Sequence, residues 1–254
     1  MIIDIKSILF FIVVFISNVI QCITGFAGTV LAMPFSIMLI GFDTAKTILN
    51  ILGIVASVGV LAMNRKSFNK KEFAKITGIM IIGMIIGFVI VNSFSVTAGV
   101  LYKILGITVI LFTIIGCVRT FKKKTDENQK SDITNKKTAL ASYCILIVSG
   151  IVHGMFVCGG PLLIVYASER LKDRDEFRAT VSAVWIVLNS IIMFTDIKKG
   201  NLNIDIMPLL AVSIIILFAS VIVGNKIAKH MNKKTFMIIT YVLMGISAVS
   251  LILK

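Results

Sequence analysis

Acidic side chains are scarce in this 254-residue sequence: 12 aspartates and glutamates stand against 26 lysines and arginines, and none is centred in an apolar stretch. That absence removes the carboxylate relays and carboxylate-lined cation sites that acidic residues build inside membranes. Histidine is rarer still. His153 and His230 are far apart and no carboxylate neighbours the first, so neither paired acid–base chemistry nor a zinc set is written in the chain. No G-x-x-x-x-G-K-[ST] loop occurs, which excludes nucleotide hydrolysis by that motif. The four cysteines, Cys22, Cys117, Cys144 and Cys158, share no CxxC or His/Cys spacing. They read as small buried hydrophobes, with Cys158 alone placed to touch a ligand. No catalytic residue, cofactor or metal is expected.

What the chain has in abundance is apolar surface. At 57% hydrophobic residues it carries more than a soluble core of this length could bury, so the bilayer is its expected solvent. The formal net charge of +14 could suggest nucleic acid, but the basic residues cluster between apolar stretches rather than on one soluble face. They read as a topology signal, and no nucleic-acid partner is expected. Lys6 precedes an apolar segment without an A-x-A cleavage pattern after it, so that segment is expected to be a mature membrane element and not a signal peptide.

Apolar stretches run from about Ile5 to Gly41, Ala45 to Met63, Phe73 to Val91 and Ala98 to Val118. After a polar linker they run from about Ala139 to Ala167, Ala179 to Phe194, Ile206 to Ile227 and Phe236 to Leu253. The first stretch of each half is interrupted, and at 1.5 Å per residue each of its arms is expected to be short for a hydrocarbon core of about 30 Å. Treating both interrupted stretches as hairpins that return to the side they enter gathers the basic loops on one face. The Arg65 to Lys71 loop, the Arg119 to Lys137 linker, the Arg170 to Arg178 segment and the Lys226 to Lys234 turn then lie inside with Lys75, leaving Lys6, Lys46, Lys103, Lys198, Lys199 and Lys254 outside. The fold expected is therefore an all-α, multi-pass integral membrane protein of two inverted repeats, each a broken helical hairpin plus three transmembrane helices. The repeats span residues 1–118 and 139–254, a cytoplasmic linker spans 119–138, and both termini are extracytoplasmic in the cell membrane.

The interruptions are Thr24-Gly25-Phe26-Ala27-Gly28-Thr29 ahead of Pro34, and His153-Gly154 through Cys158-Gly159-Gly160-Pro161. Irregular backbone in a bilayer persists only where protein buries it or a polar cavity receives it, and a matched pair of breaks points to a substrate site. A helix restarting after a glycine-rich break presents unpaired N–H groups and partial positive charge, which suits an anion. Gly25, Gly28, Gly154, Gly159 and Gly160 let backbone approach a ligand, while Pro34 and Pro161 are structural. Gln21, Thr24, Thr29, Asn50, His153, Thr180, Ser182 and Asn189 supply the candidate polar shell. Gly28 and Gly160 are expected to be equivalent. Each of these residues has a plainer reading, since small residues also let membrane helices pack closely and polar ones bond across helices. Asp43, Lys46, Arg178, Asp196 and Asp205 fall near helix ends, where charges are expected to be mostly solvated.

These breaks resemble the paired glycine-rich motifs of the sulfite exporter TauE/SafE family. Gln21, Thr24-Gly25-Phe26, Gly28 and Pro34 look like its G-F-G-G stretch followed by proline. His153-Gly154, Gly159-Gly160-Pro161 and Tyr166 look like its H-G…G-G-P variant, and Arg178-Ala179-Thr180 is similar to its R-x-A-T-type helix opening, with Lys46-Thr47 a weaker counterpart. Ala27 and Cys158 stand where glycines are common. The resemblance implies a carrier of sulfite, sulfonates or related organosulfur anions, with a small anion and the lipid bilayer as partners. The sequence assigns no oligomeric state. An anion channel or sensor could use the same site without a transport cycle. A membrane-embedded enzyme lacks the reactive cluster it would need.

Overall fold

The computed structural model describes residues 4–24, 27–93, 98–122, 136–171, 173–230 and 233–253; Gly25, Phe26 and linker residues 123–135 lie outside them. The described residues form ten α-helices: α1 (Ile5–Thr24), α2 (Ala27–Ile40), α3 (Phe42–Asn64), α4 (Lys70–Ser93), α5 (Ala98–Lys122), α6 (Lys136–Phe156), α7 (Gly160–Arg170), α8 (Arg174–Lys198), α9 (Met207–His230) and α10 (Lys233–Ile252). Helix is the expected answer to an apolar solvent, because it satisfies every interior backbone group within its own segment. The outer faces agree. Ile82, Ile85 and Val89 on α4, and Ile215, Phe218 and Ile222 on α9, leave about half or more of their surface exposed, as lipid-facing side chains do. Among the described residues five helices, α1, α3, α4, α8 and α9, are long and apolar enough to cross a membrane.

Helix boundaries have local causes. Gly41, at φ 84°, divides α2 from α3 in a conformation that side chains with a Cβ disfavour. Asp173 caps α8, its carboxylate accepting from the amides of Asp175 and Glu176. The polar linker begins later than the apolar pattern suggests. Helix α5 runs on through Arg119 to Lys122 and α6 starts at Lys136, because lysine and arginine are good helix formers and do not end a helix by being charged.

One expectation fails. The arms of the broken stretches are unequal: α1 and α6 have 20 and 21 residues, against 14 in α2 and 11 in α7. At 1.5 Å per residue α1 reaches about 30 Å, enough to cross a hydrocarbon core, whereas the apolar part of α6, Ser142–Phe156, and both return arms are short. The second hairpin nevertheless returns to the end it enters, since the Tyr166 hydroxyl on α7 donates to Glu72 at the start of α4, 3.3 Å away. Helices α4 and α6 run parallel, with Gly150 against Met80 and Gly154 against Met84.

The packing has twofold character. In chain order α1 to α5 match α6 to α10, and α4 packs on α6 as α9 packs on α1, while α3 lies on α8 and α5 on α10. Helices α3 and α8 are antiparallel: Thr47 meets Asp196, Asn50 meets Asn189, and Asn69, just past α3, meets Glu176. Equivalent helices that pair antiparallel belong to halves of opposite sense, which is the inverted arrangement. The α4–α6 contact is built on Gly83, Gly87, Gly150 and Gly154, two G-x-x-x-G faces in mutual contact. A Cβ on Gly87 would come within 2.6 Å of the Ile151 carbonyl.

Candidate functional site

The second break is made by three adjoining features. Helix α6 ends at Phe156, and Val157 takes φ 58° while its amide donates to the His153 carbonyl at 2.8 Å. A β-branched residue in that region costs about 1 to 2 kcal/mol. The Val157 side chain is buried, 5% exposed, so packing holds it there. Helix α7 then restarts at Gly160 with Pro161 in its first turn and Gly159 as an N-cap lacking a side-chain bond. Pro161 has no N–H, so fewer orphan amides remain to greet an anion than the break alone suggests.

The two breaks share one construction. A Cβ on Gly159 would lie 2.5 Å from the Ser149 carbonyl and 2.8 Å from His153 Cβ, and one on Gly28 would lie 2.8 Å from the Ser17 carbonyl and 2.7 Å from Gln21 Cβ. Ser17, Gln21 and Gly28 therefore stand where Ser149, His153 and Gly159 stand. The partner of Gly28 is Gly159, not Gly160, because the second break spends one residue fewer between its histidine and its close-approach glycine. The breaks also touch: the buried Cys158 thiol lies 3.8 Å from the Thr29 carbonyl, which it approaches as a weak donor.

His153 is 1% exposed, and its Nε2 lies 2.9 Å from Asn189 Oδ1. An amide oxygen only accepts, so Nε2 carries the proton. In the neutral ring Nδ1 is then a bare acceptor, and it has no hydrogen-bond partner among the described residues. Asn50 Nδ2 donates to the Asn189 backbone carbonyl at 2.9 Å, and Asn50 Oδ1 is likewise buried without a partner. Each such orphan costs about 1 to 3 kcal/mol. Trp185 tilts against His153 with ring centroids 4.8 Å apart. On the other side, Gly53 brings α3 so close that a Cβ there would meet Asn189 Nδ2 at 2.8 Å. Gly53 also lines the recess formed by Ser17, Asn18, Gln21, Gly28 and Thr29, so Asn189 lies between the two breaks.

Other candidates fall elsewhere. Gly154 packs against Met84 of α4, as the close-packing reading has it, while its carbonyl accepts from Lys46 Nζ at 3.3 Å. Thr180 lies about 13 Å along α8 from Asn189 and accepts from the Asn69 amide at 3.1 Å. Ser182 is buried, as is the helix around it. Gly25 and the side chain of Thr24 lie outside the described residues. Pro34 sits inside α2, which continues past it.

The expectation of solvated charges at helix ends is corrected for Lys46 and Asp196, which are 9% and 2% exposed. Their helices meet: Thr47 Oγ1 donates to Asp196 Oδ2 at 3.2 Å, and Gly154 of α6 and Phe88 of α4 lie against Lys46. Counting residues from a helix end cannot reveal this, because the covering comes from the other half of the chain. The only available signal was that two opposite charges fall at the paired ends of equivalent helices.

A family model for the sulfite exporter TauE/SafE matches residues 9–251. The chain is 32% identical over 82 residues to a Comamonas testosteroni protein named "Probable inner membrane transporter protein TsaS". That match covers 32% of this chain and 34% of the relative, so it spans about a third of the curated relative's length. No solved structure matches.

Proposed function

The chain belongs to the sulfite exporter TauE/SafE family, and from that premise we propose that it is a secondary carrier for a small anion, sulfite, a sulfonate or a related organosulfur anion, moved by alternating access between the two breaks. The observation that carries this reading is their shared construction: Ser17, Gln21 and Gly28 on one side, Ser149, His153 and Gly159 on the other, meeting across Asn189 and the Cys158–Thr29 contact. Two copies of one site facing opposite ways are what a cycle opening to either side requires. The family name points to transport rather than catalysis.

His153 gives the reading chemical content. With Nε2–H committed to Asn189, the ring meets an anion through Nδ1, which is a lone pair until it is protonated. An anion is therefore met well only when a proton comes too, either on Nδ1 or on the anion itself as in hydrogensulfite. Gln21, in the recess of the first break, is a neutral donor. Topology follows the charge pattern, with the basic loops and the 119–138 linker cytoplasmic and both termini outside.

Reconstitution into proteoliposomes tests the carrier. Sulfite, methanesulfonate and acetate are offered in turn, and saturable uptake accelerated by unlabelled anion on the far side is expected for at least one sulfur anion. Non-saturating flux without counter-transport would mean a channel, and binding without flux a sensor.

A further inference from the structure

Helices α3 and α8 carry polar contacts between the two halves of the chain at both of their ends. Where α3 starts and α8 finishes, Thr47 Oγ1 donates to Asp196 Oδ2 at 3.2 Å and Lys46 Nζ donates to the Gly154 carbonyl at 3.3 Å. Asp196 and Asp43 offset the charges of Lys46 and Lys199, so this cluster is balanced. Where α3 finishes and α8 starts, Asn69 donates from its amide to Thr180 Oγ1 at 3.1 Å and from Nδ2 to Glu176 Oε1 at 2.7 Å, and Tyr166 of the second half donates to Glu72 of the first. Asn189, which holds His153, lies between the two clusters, about 10 Å along α8 from Asp196 and about 13 Å from Thr180.

These contacts differ in kind from the glycine seam of α4 and α6, where backbone lies on backbone and parting the helices offers water little to bind. Charged and amide groups at helix ends can exchange partners: when α3 and α8 separate, each group gains water for the bond it loses, so the opening is far cheaper than leaving the same groups bare. The recess lined by Lys46, Gly154 and Asp196 and the one lined by Gln21 and Gly28 each have room for about one water. A sulfur oxyanion is larger than either, so it reaches the breaks only after helices part.

We propose that the two clusters are the two gates of the transport cycle: Lys46, Thr47 and Asp196 close one face, Asn69, Glu176 and Thr180 close the other, and they open in turn on either side of Asn189. The proposal rests on the carrier reading. Inverted halves account for a gate at each end, because α3 and α8 are equivalent helices running antiparallel and each brings its start to the other's finish.

Cys158, 1% exposed and set against the Thr29 carbonyl between the breaks, serves as the reporter. In the full-length protein with Cys22, Cys117 and Cys144 replaced by alanine, a membrane-impermeant methanethiosulfonate is applied to right-side-out and to inside-out vesicles. Thr47→Val and Asp196→Asn are expected to speed labelling of Cys158 about fivefold or more from one face alone, and Asn69→Ala and Glu176→Gln from the opposite face alone. Combining Asp196→Asn with Glu176→Gln should give labelling from both faces and transport closer to wild type than either single change, since the balance of two open states follows the difference in their free energies. If the variants that remove charge do not fold, Thr47→Val and Asn69→Ala carry the comparison. Labelling equal to wild type in every folded variant, both sets acting from the same face, or a single variant acting from both faces overturns the proposal. Failure of the carrier reading looks different: the sided labelling persists while neither sulfite nor methanesulfonate shows saturable flux in proteoliposomes.

Discussion

His153 Nε2 donates across 2.9 Å to Asn189 Oδ1, a bond from the second hairpin to the helix that follows it. The same asparagine accepts from Asn50 through its backbone carbonyl and overlies Gly53, so one residue of α8 ties the second break to α3 and, through Gly53, to the recess of the first.

Replacing His153 separates its roles. His153→Leu leaves Asn189 Oδ1 without its donor, at about 1 to 3 kcal/mol. If the ring also meets the anion, substrate affinity falls roughly ten- to hundredfold. His153→Gln keeps a donor and is expected to retain part of the binding. If the ring instead carries a coupled proton, both variants bind substrate but fail to concentrate it. Wild-type affinity and uphill transport in purified His153→Leu would reduce the histidine to a structural link.

Gly28→Leu and Gly159→Leu are expected to behave as a pair, abolishing flux while the protein still inserts. Each side chain would be driven into the backbone of the preceding helix, at Ser17 or Ser149, and into Gln21 or His153. Overpacking of this kind costs about 1 to 3 kcal/mol and displaces whichever element moves most easily, here the short return arm. Normal transport by either well-expressed variant would mean that the breaks serve packing alone.

The α4–α6 glycines should respond differently. Gly83→Leu and Gly150→Leu force apart two long helices rather than a break, since their added Cβ atoms would lie against the carbonyls of Ile147 and Met80. Reduced thermal stability and yield are expected, with transport per folded molecule affected less than in Gly28→Leu. A melting temperature equal to wild type in both would contradict the close contact.

Topology is open to cysteine labelling. In a background without the native cysteines, a single cysteine within residues 123–135 should resist an impermeant thiol reagent applied to intact cells, while one near Lys6 should react. Reaction of the linker cysteine from outside would reverse the orientation.

Much of this was legible in the sequence because membranes enforce simple rules. Apolar length, loop charge and the two glycine-rich breaks at comparable places were enough to yield ten helical segments in two matched, inverted halves, since lipid leaves irregular backbone nowhere else to go. His153 stood out as the one histidine expected at depth, and Asn50 and Asn189 as polar residues with few alternatives. What the sequence did not determine depends on contacts between halves. The pairing of Gly28 with Gly159 follows from which backbone each approaches, and a one-residue difference in the breaks hides it. The tautomer of His153 is set by an acceptor 36 residues away. The burial of Asp196 is decided by α3 lying on α8, and that of Lys46 also by α6, whose Gly154 carbonyl, 108 residues distant, receives the ammonium. Local pattern sets which segments enter the membrane; only packing between segments sets which charges lose their water.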